Sequence, residues 1–148
     1  MAELVSTTLI DKVAPLVRYR SDDIVRLTTE TCACGRTHGR IWPLGRKGDE
    51  VVVDGVSVLP GDVWGAIESV PETAAGLFQV IRDRRDMDRL RLRVGYAAPV
   101  PGGLTDLATR VTDAVHEAVG LEPAVELVEH DVLLRQGPPH KIPRVARA

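Results

Sequence analysis

Aromatic side chains make up only 3% of the 148 residues, too few to build the stacking platform on which single-stranded nucleic acid is bound. An excess of one charge is also lacking: 19 Lys and Arg stand against 21 Asp and Glu, for a formal net charge of −2. Without a basic field, nucleic acid and anionic membrane surfaces are not expected partners. No apolar run approaches the roughly 18 residues of a membrane-crossing helix. The start, "MAELVSTTLI", has neither the basic segment nor the long apolar core of a secretory signal. The expected setting is the cytoplasm. Cysteine is limited to Cys32 and Cys34, too few for a disulfide framework and too close for an unstrained bridge.

What is present fits one ordinary core, or one small domain plus a fragment of another. The first third reads as four short strands, 3–9, 14–20, 23–29 and 39–44, with β-branched residues and turn signals between them and no helical period. Four short strands bury little by themselves. After "GRKGDE" (45–50) the pattern changes. Asp54-Gly55 between two valine-rich runs predicts a type I′ hairpin. A helix is expected at about 62–70, with Val63, Trp64 and Ile67 on its apolar side. Two strands follow, "GLFQVIRD" and "RLRLRVGYA", around the charged turn "RRDMD". The clearest helix is 104–119, where Leu107, Val111 and Val115 recur at helical spacing and Gly120 supplies the stop. "AVELVEHDVLL" (124–134) reads as a last strand, and a Pro/Gly-rich loop and tail complete the chain. This order predicts a small α+β domain with helices on one face of a sheet.

Several motifs occur together in order: "RYRSDDIVRL" (18–27), "CACGR" (32–36), "GRKGDE" (45–50), "DGVSVLP" (54–60) and "GPPHKIPRV" (137–145). This series resembles the C-terminal part of phenylacetate–CoA ligase-like adenylate-forming enzymes. There the corresponding motifs are Tyr-Arg-Thr-Gly-Asp, Cys-x-Cys-Gly-Arg in some members, a Gly-Arg-x-Asp-Asp hinge, Gly-Val-Asn-Val-Phe-Pro and a closing Gly-Lys-Ala-x-Arg-Val. The resemblance implies an α+β fold in which residues 1–46 are an antiparallel β remnant of a large AMP-binding domain. Residues 47–50 would then be the hinge and 51–148 the mobile C-terminal domain. It also implies ATP with Mg, AMP as a product, CoA or a carrier-protein thiol as acceptor, and an aryl or acyl carboxylic acid as substrate.

Carried over residue by residue, the resemblance makes Asp23 the acceptor for the ribose hydroxyls of AMP; an ionised carboxylate offers two acceptor oxygens to a vicinal diol. By itself Asp23 also reads as an ordinary turn aspartate. Asp22 stands where the family has glycine, placing a second negative charge beside that position. Arg46 matches the hinge arginine, a planar donor fork for ribose or phosphate. Gly48 and Asp49 are the hinge pair, with glycine in place of the usual aspartate and free to absorb a change in φ. Gly55 lies on the surface expected to face the thiol channel. Lys141 is the catalytic candidate, a cation for the substrate carboxylate and the α-phosphate; without the resemblance it reads as a solvated lysine. Cys32, Cys34 and His38 are zinc candidates, one ligand short of the usual four; reduced turn cysteines are the preferred reading, with no metal in this chain.

The expectation is therefore the C-terminal part of an acid–CoA ligase, inactive without its large domain because both domains contribute to the transition state. Self-association through the uncovered β element is expected too. Gly48, Asp22 and Ser57, where the family has other residues, keep open an alternative: a non-catalytic interaction module derived from the same domain.

Overall fold

The computed structural model describes residues 1–10, 13–84 and 86–148. Arg85, within the expected turn "RRDMD", lies outside them. The chain divides into two compact units, Met1–Gly48 and Asp49–Ala148.

The first unit is a three-stranded antiparallel sheet: β1 (Ala2–Ser6), β2 (Tyr19–Thr28) and β3 (Arg40–Arg46), with β2 in the centre. Four strands were expected. The run 14–20 does not form a strand of its own, because Arg18 takes a positive φ of 50° and breaks extended geometry ahead of β2. The two middle runs therefore become one ten-residue strand. Asp22 also has a positive φ, 60°, and lies where β2 carries extra residues against β1, whose register shifts between Glu3 and Val5; against β3 the shift comes between Ile24 and Val25, with Leu44 the extra residue on β3. Among the described large apolar side chains of this unit only Val25 and Leu44 are buried, at 5% and 7% exposure. Val5, Val17, Tyr19, Leu27, Ile41 and Trp42 are all exposed.

The second unit is α+β. A hairpin of β4 (Val51–Val53) and β5 (Val56–Val58) turns through Asp54 and Gly55, both at positive φ (48° and 79°), as a type I′ turn requires. Helix α1 (Pro60–Glu68) starts with proline in its first turn, and the Asp62 carboxylate accepts the Leu59 N–H at 2.8 Å. The main sheet has the order β10-β6-β8-β9, with β6 (Phe78–Arg82), β8 (Arg91–Tyr96), β9 (Ala124–Glu129) and β10 (Val145–Arg147). A two-residue strand, β7 (Asp86–Met87), pairs with β4. Helix α2 (Gly103–Val119) buries Leu107, Val111 and Val115 against Phe78, Val80, Leu92 and Val94. Each such burial is worth about 1.5–3 kcal/mol relative to an exposed side chain. Leu104, three residues before Leu107 and so at the same helical spacing, is 48% exposed at the first turn.

Two elements depart from the sequence reading. The expected strand 124–134 ends at Glu129, whose partner Tyr96 is the last residue of β8, so no ladder remains to continue it. The chain turns into a short helix, α3 (His130–Leu134). Leu133 packs with Leu77, Val128 and Ile142 in a second cluster, on residues of opposite strand parity to the main core. Helical elements thus cover both faces of the sheet. The tail also does more than expected: β10 adds to the sheet edge in parallel with β6, Val145 opposite Val80.

Candidate functional site

The residues expected to touch nucleotide sit on neighbouring strands of the first unit. Asp23 on β2 and Arg46 on β3 are register partners, and Arg46 Nε approaches Asp23 Oδ1 at 3.4 Å. The β3 bulge at Leu44, opposite the step from Ile24 to Val25, and the Lys47 N–H donating to Asp22 O at 2.8 Å flank the pair. The Asp23 side chain is about one-third exposed and that of Arg46 is mostly exposed, so an acceptor carboxylate and a donor fork are both open to a ligand. Positive φ at Asp22 puts the chain in a region where glycine is free of strain and where aspartate is one of the better-tolerated substitutes.

Gly48 takes no positive φ and a Cβ there would meet nothing within 4 Å. Glycine is not required by the conformation seen, which leaves its freedom for another one. Cys32 and Cys34 sit in a tight turn closed by Gly35 N–H to Cys32 O at 2.8 Å, with their sulfurs 3.2 Å apart. The Cys34 thiol is held below its usual range, first by a backbone hydrogen bond at Arg36 and then by Cys32. His38 is exposed, and among the described residues no three His, Cys, Asp or Glu side chains gather as metal ligands.

In the second unit Gly55 is exposed at the tip of the β4–β5 hairpin. Lys141 is the last residue of a 3-10 turn, Pro139–Lys141, whose final N–H donates to Pro138 O at 2.8 Å. Its side chain is exposed while Ile142 beside it is only 4% exposed. Two open hollows of about 430 Å³ lie elsewhere in this unit, one lined by Arg82, Asp83, Arg84 and Arg147, and neither includes Lys141 or Gly55.

Three polar residues were not singled out from the sequence. Gln79 is 1% exposed in the middle of β6 and donates to Gln136 Oε1 at 2.8 Å and to Pro143 O at 3.1 Å. Arg144 stacks on Trp64, 3.9 Å from guanidinium carbon to ring centroid, and donates to Gly76 O at 2.6 Å; burial pulls its pKa down, opposed by Glu68. Arg110 on α2 forks onto both carboxylate oxygens of Glu72, at 2.7 and 2.9 Å. The sequence signal for Gln79 was a lone amide inside the apolar run "GLFQVI".

Residues 55–147 match the family model for the AMP-binding enzyme C-terminal domain. The chain belongs to this family. Among curated proteins, the phenylacetate-coenzyme A ligase of Thermus thermophilus is 39% identical over 97 residues, 65% of this chain and 22% of that protein. The phenylacetate-coenzyme A ligase of Escherichia coli strain K12 is 30% identical over 92 residues, 62% of this chain and 21% of that one. The chain thus spans about a fifth of these relatives. Among solved structures, 2-hydroxyisobutyryl-CoA ligase in the postadenylation state, in complex with 2-HIB-AMP, superposes with a TM-score of 0.72 at 26% identity. That superposition covers 90% of this chain and 29% of the ligase. The matched residues run from Gly55 and β5 through both main helices, the four-stranded sheet and the Lys141 turn.

Proposed function

We propose that this chain is the C-terminal part of an ATP-dependent acid–CoA ligase of the phenylacetate type, working in the cytoplasm with a large AMP-binding domain. Residues 1–46 belong to that large domain, 47–50 form the hinge and 51–148 the mobile domain. The observation that carries the reading is the reach of the 2-hydroxyisobutyryl-CoA ligase match: 90% of the chain is more than the second unit alone could supply, so the likeness extends into the β1–β2–β3 sheet.

In the first half-reaction a carboxylate oxygen of the acid attacks the α-phosphorus of ATP, the bond to the β,γ-phosphates breaks, and pyrophosphate leaves. In the second, a CoA or carrier-protein thiol attacks the acyl carbonyl, AMP leaves, and the thiol proton is released. Asp23 accepts the ribose hydroxyls, and Arg46 steadies the ribose or phosphate. Lys141 offsets the negative charge shared by carboxylate and α-phosphate, an electrostatic role that is strongest in a water-poor site. The Gly55 turn borders the thiol path once the domain has swung about Gly48 and Asp49. Mg²⁺ accompanies ATP, and no described residue cluster of this chain is assigned to it.

The test is reconstitution. The chain alone gives no acid-dependent exchange of pyrophosphate into ATP, whereas the complete ligase exchanges it with an aryl acid and then forms the CoA thioester. Exchange by the chain alone, or its absence from the complete protein with every aryl and short acyl acid tried, contradicts the proposal.

A further inference from the structure

Lys141 is exposed, as are Pro138, Pro139 and His140 before it, but the chain is fastened down on either side of this exposed stretch. Upstream, the Gln136 amide pairs with Gln79, whose Nε2 donates to it at 2.8 Å. Immediately downstream, Ile142 is buried in the cluster of Leu77 and Leu133. Pro143 O accepts from the same Gln79 nitrogen at 3.1 Å, and Arg144 O accepts from Val80 N–H at 2.7 Å. The Arg144 guanidinium reaches past the strand to donate to Gly76 O, and it lies 3.9 Å from the Trp64 ring and 4.8 Å from that of Phe78. Gln79 shares its strand parity with Leu77, in the second cluster, while Phe78 belongs to the main core. The segment is thus gripped from both faces of the β6 edge.

We propose that Arg144 and Gln79 are positioning residues for Lys141, a two-sided clamp that presents its ammonium group in a fixed place to the adenylation site. The inference rests on the function proposed above. Its physical basis is preorganisation: a stem held by two buried or half-buried polar anchors removes the local freedom that a terminal loop lysine otherwise has, and a misplacement of about 1 Å can cost a hundredfold in rate. A half-buried guanidinium bonded to carbonyls and close to two aromatic rings, together with a fully buried amide whose two donors are both used, is a costly arrangement.

The test is a double-mutant cycle in the complete ligase, this chain together with its AMP-binding domain. Arg144→Gln and Gln79→Leu, the latter close in size to glutamine, are each combined with Lys141→Ala. Each clamp variant alone should slow pyrophosphate exchange by about ten- to a hundredfold, in kcat rather than in KM for ATP, and leave acyl transfer from synthetic acyl-adenylate within about twofold. With Lys141 already alanine, neither clamp variant should slow exchange further. Full additivity, equal losses in both half-reactions, or unchanged exchange in the single variants overturns the clamp while leaving the function standing. Should Arg144→Gln fail to fold, Gln79→Leu decides alone. An unaltered exchange rate in Lys141→Ala overturns the lysine assignment, and the clamp falls with it.

Discussion

Asp22 holds a left-handed conformation, φ 60°, at the position where related enzymes are expected to carry glycine. The backbone requirement and the sequence departure meet at one residue, and aspartate is among the few side chains that tolerate it. Asp22→Gly should be close to neutral in stability, since lost strain and added freedom of the unfolded chain oppose each other. Asp22→Val, a branched side chain in the same backbone region, should cost about 1–2 kcal/mol. Urea denaturation of the three proteins checks both; a well-tolerated valine would mean that the turn is free to relax. Glu72 gives a second residue-level test. The Arg110 fork holds its carboxyl below the usual carboxylate range, so the folded state binds its proton more weakly than the unfolded chain. Its contribution is therefore present above the unfolded pKa of about 4.3 and is lost as pH falls through the lower folded value. Glu72→Gln should lower the thermal midpoint at pH 7, with a gap that closes below about pH 4. A gap that persists undiminished at low pH would show that packing, and not the ion pair, is lost.

At the scale of elements, α3 and β10 bring the tail into the structure. Gly95 on β8 faces α3, and a Cβ built there would stand 3.0 Å from His130 Cδ2, 3.1 Å from Leu133 Cδ1 and 3.1 Å from the Leu77 carbonyl. Because the carbonyl cannot move without shifting β6, Gly95→Ala should destabilise the second unit by about 1–3 kcal/mol, measurable by thermal or chemical unfolding. A neutral substitution would show that α3 docks loosely. The same elements mark where sequence reading stops. Helix α2 is legible because Leu107, Val111 and Val115 repeat at its own period, and the hairpin is legible because Asp54-Gly55 specifies its turn. The 130–134 helix is not: "EHDVLL" continues an apolar run, and only the end of β8 opposite Glu129 terminates the strand. Strand β10 is three residues long behind a proline-rich loop, and it exists because β6 offers an edge. Of the candidate site, Asp23, Arg46 and Lys141 are proposed from motif order alone. Gln79 and Arg144 were not legible that way, because their partners lie 57 to 68 residues away in the chain.

For the whole molecule, the two units differ in how much they bury. The second has a continuous core from Val51 to Val115, while the first leaves Val5, Val17, Leu27, Ile41 and Trp42 exposed on and around three strands. Unsatisfied apolar surface and open strand edges favour association, so sedimentation of the chain alone should show reversible self-association that increases with concentration. Removal of residues 1–46 should abolish it. Monomeric behaviour of the full chain at high concentration would contradict this. The central claim is that Lys141 serves adenylation and not thioester formation. It is tested most directly by measuring both half-reactions of the Lys141→Ala ligase, pyrophosphate exchange for the first and acyl transfer from pre-made acyl-adenylate to CoA for the second. The account predicts a fall of about a hundred- to a thousandfold in exchange, the scale of losing one preorganised donor, with acyl transfer nearly unchanged. Equal losses in the two, or no loss in exchange, would contradict it.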